Sequence, residues 1–227
     1  MIEDLLSDGE VLFSVGLTLK VAAACLLLHL ATALPLALWM RSPKAPFRRT
    51  LNFVVTLPLV FPPIALGYLL LMALGQTGIG EPLQRAFGIR IIFSQTAVIL
   101  AAYIAGLPLV LKPIQAALGS EQVRRLVEAA RVTGASPTAA LFLVVIPLIR
   151  SSLCVGLLLG LTRAFGEVGI SLMLGGNIAG RTNTLSLEVF NAVSRGDFER
   201  ATVVCILLAG ISLCLYLVIE QLQRRAS

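Results

Sequence analysis

The sequence predicts an all-α, polytopic transmembrane helical bundle. Three observations predict it. Of the 227 residues, 57% are hydrophobic and only 13% are charged, about half the charged share of a soluble domain. Mean hydropathy is +0.92. The apolar residues fall into long stretches that carry almost no charge, and the basic residues gather at the ends of those stretches. Aromatic and β-branched residues are too irregularly placed for barrel strands. Backbone hydrogen bonds must therefore close within each segment, as helices do in lipid.

Five stretches appear in order, each long enough at roughly 20 residues to cross hydrocarbon. The first covers about 11–40 and contains Lys20 and His29. The second, 51–75, and the third, 91–111, carry no charge. The fourth begins near Leu141 and continues, broken by glycines, to about Leu174. The fifth, 201–219, is again uncharged. Five core spans follow, or six if the broken fourth stretch counts twice. No room remains for a sizeable soluble domain, so residues 1–227 form one membrane domain. Cys25, Cys154, Cys205 and Cys214 all sit inside apolar runs and form no CxxC pair, so they behave as small hydrophobes rather than metal ligands. The segment 1–10 is acidic and lacks the positive start of a cleavable signal peptide.

Charge asymmetry sets a direction. Arg41, Lys44, Arg48 and Arg49 follow the first stretch. Lys112, Arg124, Arg125 and Arg131 follow the third, and Arg224 and Arg225 follow the fifth. Glu3, Asp4, Asp8 and Glu10 precede the first. The positive-inside rule then places the N-terminus outside and the C-terminus in the cytoplasm, with an odd number of spans. A net charge of +6 distributed in this way marks span ends, not nucleic-acid binding.

Two places inside the apolar stretches are irregular. The second contains Pro58, Pro62, Pro63 and Gly67 in LPLVFPPIALGY. Each proline removes a donor and clashes with the carbonyl four residues back, so a kink or partial unwinding is expected. Such backbone either lines a pathway or gate, as discontinuous helices do, or serves helix packing. The fourth contains TRAFGEVGISLMLGG. Arg163 and Glu167 lie four apart on one helix face, deep in the bundle or near the outer end of the helix. They form part of a gate or a structural ion pair, and Gly166, Gly169, Gly175 and Gly176 permit a break there. Lys20 is expected to snorkel outward. His29, the only histidine, suits a packing hydrogen bond better than a proton relay.

Between the third and fourth stretches, residues 120–142 form a charged elbow. Ser120 is a good N-cap with Glu121 behind it at the positive end of the helix dipole. Val123, Leu126, Val127 and Ala130 share one face. Gly134 is placed to end that helix in a left-handed cap, and Ser136-Pro137 restarts another. The small side chains at Ala129, Ala130, Gly134 and Ala135 would let another backbone approach, as for a short helix seated in a partner's groove.

This elbow resembles a known family. Glu128-Ala129-Ala130, then Gly134, then Val144-Val145-Ile146-Pro147 match the E-A-A…G signature of inner-membrane permeases of binding-protein-dependent ABC importers, with valine and isoleucine at its isoleucine and leucine positions. The stretches LPLVFPPIALGYLLL, RAFGEVG and GLPLVLKPIQAAL resemble the molybdate branch. The resemblance covers nearly the whole chain. It implies the type I ABC importer fold and a bacterial inner-membrane permease working by alternating access. Its partners would be a second copy, two cytoplasmic ATPase subunits and a periplasmic oxyanion-binding protein. ATP and magnesium would sit on the ATPase, with no cofactor, metal or catalytic residue on this chain. Coupling to the ATPase would fall to Arg124, Val127, Glu128, Ala129, Ala130, Thr133, Gly134, Ala135 and Pro137. The pathway or gate would involve Pro58, Pro62, Pro63, Arg163, Glu167 and Gly169. Tungstate or sulfate are the alternative cargoes.

Other classes fare worse. There is no HExxH, no GxSxG and no Ser-His-Asp set, and no second carboxylate stands ready to serve with Glu167. An ion-coupled carrier would want more intramembrane carboxylates. No GxxxxGKS/T loop is present, so this chain would not bind ATP in that manner.

Overall fold

The computed structural model describes residues 8–42, 45–76, 78–88 and 90–226. Of the charges used above, Glu3, Asp4 and Lys44 lie outside the described residues, as do the side chains of Arg224 and Arg225. The described elements are all helical: α1 Gly9–Arg41, α2 Arg48–Val60, α3 Pro63–Leu74, α4 Gly80–Phe87, α5 Gln95–Leu118, α6 Glu121–Val132, α7 Pro137–Ala140, α8 Ile146–Phe165, α9 Gly169–Gly175, α10 Leu185–Ser194 and α11 Phe198–Ala226.

Four of the five expected spans are continuous helices long and apolar enough to cross a membrane: Gly9–Arg41, Gln95–Leu118, Pro137–Phe165 and Phe198–Val218. The second stretch is divided between α2 and α3, 13 and 12 residues long. Together they reach about 37 Å, enough for a hydrocarbon core of about 30 Å. The break falls at Phe61-Pro62, where Pro62 and Pro63 have no N–H to offer the carbonyls of Pro58 and Leu59. The fourth stretch breaks at Gly166–Val168, so its glycine-rich tail becomes the separate short helix α9.

The third span differs from expectation at its end. The helix does not stop at Leu111 but runs to Leu118, so Lys112 belongs to the helix and not to a loop. Its ammonium is held by the Asn52 amide oxygen of α2 at 3.0 Å. A basic group near the end of a long apolar helix is tolerated when a neighbouring helix supplies an acceptor.

Helix α5 is the central post, packed against both α1 and α8. Val110, Leu111, Ile114 and Leu118 meet Ala33, Ala37 and Ile149 in the largest buried cluster. Lipid offers no hydrophobic drive for helix association, so close backbone approach carries the packing. A Cβ built on Gly156 would lie 2.7 Å from the Val110 carbonyl oxygen, and one on Gly106 would lie 2.9 Å from that of Gly160. The segment Gly156-Leu-Leu-Leu-Gly160 is thus a small-xxx-small seam. His29 fills the space beside it. Its Nε2 lies 3.1 Å from the Tyr103 carbonyl oxygen, and its ring stacks on Tyr103 with centroids 4.8 Å apart. This is the packing role expected of it. In the half of α1 remote from the elbow, Lys20 is exposed and donates to the Gln95 amide oxygen at 2.7 Å.

Replacing Gly156 by leucine should force α5 and α8 apart, since the obstacle is backbone and cannot rotate away. A loss of about 1–3 kcal/mol is expected, read as a lower thermal midpoint in detergent.

Candidate functional site

Two regions collect the residues singled out by the sequence. The first is the elbow. Ser120 caps α6 by accepting from the Val123 N–H at 3.4 Å. Glu121 accepts from Arg124 at 2.8 and 2.9 Å and from Arg125 at 2.8 Å. These two guanidinium groups hold the Glu121 carboxyl at about 2. A depressed carboxyl contributes fully above the ordinary carboxylate range and loses that contribution as pH falls toward 2, so the cluster is intact at any physiological pH.

The α6 C-terminus is a Schellman turn. The Ala135 N–H donates to the Ala130 carbonyl at 2.9 Å, and the Gly134 N–H donates to that of Arg131 at 3.0 Å. Gly134 has φ +89, and a Cβ there would meet nothing within 4 Å. The glycine is required by backbone conformation, and the space in front of it is open. Ala129 and Thr133 are exposed beside it, with Ala130 and Ala135 half-buried. Arg124, Val127, Glu128 and Pro137 line an open groove of roughly 410 Å³, together with Arg41 and Arg131. Val123 is buried in the main cluster with Val127 packed on it, whereas Leu126 of the expected apolar face is 43% exposed.

The second half of the elbow is not an independent helix. Ser136 caps α7 by accepting from the Ala139 N–H at 3.2 Å, but α7 is one turn long. It passes through a π-helical turn, Leu141–Val145, directly into α8. The Ile146 N–H reaches back to the Leu141 carbonyl, five residues away. Pro147 explains the widening: it lacks an N–H and would crowd the carbonyl four residues back in an α-helix. Helix α7 and the fourth span are therefore one continuous rod, joined to α6 through the Gly134 turn.

The second region joins the two irregular stretches, with Glu167 buried on one side of it and Pro62 and Pro63 exposed on the other. Helices α3 and α9 pack side by side. A Cβ on Gly169 would lie 2.8 Å from Pro63 Cβ and 3.0 Å from the Ile64 nitrogen. One on Gly67 would lie 2.9 Å from Met173 Cβ. Pro63 and Gly169 thus meet next to the point where both spans are interrupted, with Pro62 preceding the contact. Glu167 is 1% exposed in its side chain and pairs with Arg163 at 2.6 Å. Its other oxygen accepts the Ile170 N–H at 2.6 Å and so caps α9. Ser171 Oγ, buried close by, has no hydrogen-bond partner among the described residues. Pro58 lies a turn back, inside α2.

One cluster was not signalled by the sequence. Arg200 contacts Asp8 at 2.7 Å, Glu10 at 3.7 Å and Glu188 at 2.7 Å. Arg195 adds a contact of 3.4 Å to Glu188, and Asn183 donates to Glu188 at 2.6 Å. This knot ties the start of α1 to the α10–α11 turn, at the end of the bundle remote from the elbow. Its members are scattered along the chain, so no local spacing announces it. The Gly156–Gly160 seam also lies outside the expectations above, although its four-residue period is legible in the sequence.

A family model described as binding-protein-dependent transport system inner membrane component matches residues 33–227. The chain is similar to the molybdenum transport system permease protein ModB of Haemophilus influenzae, 34% identical over 215 residues and covering 93% of each chain. It is also similar to that of Escherichia coli K12, 33% identical over 213 residues and again covering 93% of each. A bacterial alginate ABC transporter, solved in complex with alginate pentasaccharide-bound periplasmic protein, contains a chain of the same fold. That match has a TM-score of 0.77 at 19% identity, and it covers 98% of this chain and 81% of that one.

Removing Arg163 alone, as Arg163→Met, should strand a buried carboxylate and destabilise the fold by about 3 kcal/mol or more. The double variant Arg163→Met/Glu167→Gln should recover much of that loss. Thermal midpoints of the two variants check the order.

Proposed function

Because this chain belongs to the family of binding-protein-dependent transport system inner membrane components, we propose that it is the membrane-spanning subunit of an ATP-driven importer of molybdate. It is a multi-pass inner-membrane transport subunit and not an enzyme, and it works with ABC transporter partners. The finer assignment is a pathway of two copies, two ATPase subunits at the elbows and a periplasmic oxyanion-binding protein at the opposite face. The N-terminus would be periplasmic and the C-terminus cytoplasmic. Basic residues at the elbow end, among them Arg41, Arg48, Arg49, Arg124, Arg125 and Arg131, favour that orientation. ATP and its magnesium would reside on the ATPase.

The observation that carries the reading is the continuity of α7, the second half of the elbow, with the fourth span. The open Gly134 turn and the Glu128 groove lie at one end of a rod. Arg163 and Glu167 lie about 40 Å away at the other. A motor that shifts the elbow would move the α8 end against the α3–α9 seam. Motion in that seam is what alternating access requires, because the two spans are already interrupted there. External energy is also needed. Drawing an anion into an inside-negative cell costs about 2.3 kcal/mol per charge per 100 mV.

Reconstitution with the neighbouring ATPase and binding protein tests this. Gly134→Arg should fold and insert but lose at least about tenfold of ATP-driven uptake, because φ +89 strains any side chain and the arginine fills the open space. Glu128→Lys should likewise remain inserted and lose coupling. Unchanged uptake in both would refute docking at the elbow. Titrating the binding protein with molybdate, tungstate and sulfate identifies the cargo; molybdate is expected to bind with highest affinity.

A further inference from the structure

At the end of the bundle opposite the elbow, a cavity of roughly 650 Å³ lies over the outer end of the α3–α9 pair. Its floor is apolar, from Leu71 and Leu74 of α3 with Ile92 and Ile178. Its polar groups are Arg90, Arg181, Gln76 and Gln84, and no carboxylate lines it. The two arginines come from separate connections, one before α5 and one between α9 and α10.

Among the described residues neither guanidinium group has a partner, and both arginines are exposed to the open hollow. Arg85, Arg163, Arg195 and Arg200 at the same end of the bundle are each engaged by a carboxylate. Arg90 and Arg181 make no side-chain hydrogen bond or ion pair with any described residue. The nearest acidic side chain in the adjoining hollow, Glu81, is held by Arg85 at 2.5 Å. Paired arginines around it, and two with no partner among the described residues in a single carboxylate-free hollow, leave a concentrated positive potential where a ligand would arrive. Guanidinium forks match the oxygens of a tetrahedral oxyanion, and amide N–H groups can serve its remaining lone pairs.

We infer that this cavity is a receiving site for the transported oxyanion, in which Arg90 and Arg181 take a divalent tetrahedral anion as it leaves the binding protein. This rests on the importer reading. The site is wide and open, so it binds weakly and passes the anion on. Its position directly over the seam of Gly67, Gly169 and the Pro62-Pro63 break leads the anion to the interrupted spans.

The test uses the complete transporter in proteoliposomes, with anion-loaded binding protein. Arg90→Gln/Arg181→Gln should lower initial oxyanion uptake about tenfold or more. Affinity for the binding protein should stay within about twofold of the parent. Arg90→Lys/Arg181→Lys should retain most uptake, and Arg85→Gln should change little. In the parent permease, molybdate but not chloride should protect Arg90 and Arg181 from a guanidine-directed dicarbonyl reagent, read by peptide mass spectrometry. Unaltered uptake in the glutamine pair would overturn the proposal. So would a matching loss of binding-protein affinity, which would make the arginines a docking contact. Should the glutamine pair fail to fold, absence of protection in the parent overturns it alone. A parent that imports no oxyanion would instead defeat the importer reading, and the protection assay still decides the site.

Discussion

The structure depends on one constraint: backbone polar groups in hydrocarbon must be satisfied or covered by protein. The two interruptions in this bundle meet it unequally. The Phe61-Pro62 break and the Gly166–Val168 break lie against each other, and Glu167 is buried there, whereas residues 60–64 are exposed on the bundle surface. Glycine at 67 and 169 lets the two short helices approach closely enough for that contact. Glu167 then supplies what a helix start lacks, an acceptor for an orphan N–H of α9, while Arg163 neutralises its charge. A carboxylate that would be costly alone becomes a fixture of the seam.

Charge follows the same economy. One end of the bundle gathers arginines around the elbow, where Glu121 holds Arg124 and Arg125. At the other end carboxylates and arginines are knotted, with Arg200 joining Asp8, Glu10 and Glu188. Between them the spans are nearly bare. A conduit with few fixed charges holds an ion loosely, so recognition can be left to an external protein and energy to an internal one. The elbow's rigidity suits that division. Its N-cap, Schellman turn and π-helical junction are all local hydrogen-bond devices.

Much of this was legible in the sequence, because the signals were local. Ser120, Gly134 and Ser136-Pro137 are capping residues whose spacing alone dictates helix, turn and helix. Pro62 and Pro63 announce a break wherever they stand in an apolar run. Arg163 and Glu167 read as a pair from their four-residue spacing. What escaped was either non-local or a matter of degree. The Arg200 knot links residues far apart in the chain. The third helix outran its apolar stretch because Asn52, on a different helix, accepts the Lys112 ammonium. The meeting of Pro63 with Gly169 required the fold, since neither stretch specifies which neighbour will cover its gap. That α7 would be only the first turn of the fourth span was hidden for another reason. Pro147 signals a disturbance but not whether the chain will stop or merely widen.

The wide turn at Leu141–Val145 carries a consequence for how length changes are tolerated. A helix advances about 100° in azimuth with each residue, and the wide turn absorbs one residue beyond regular winding. Excising a single residue there would restore regular winding and leave every downstream side chain close to its present azimuth, with Arg163 and Glu167 still facing the seam. Excising one from the regular part of the same rod would instead turn both by about 100°. The irregularity thus works as a slack link, the one stretch of the rod where a residue can be lost without rotating the part that must open against the part that is pushed.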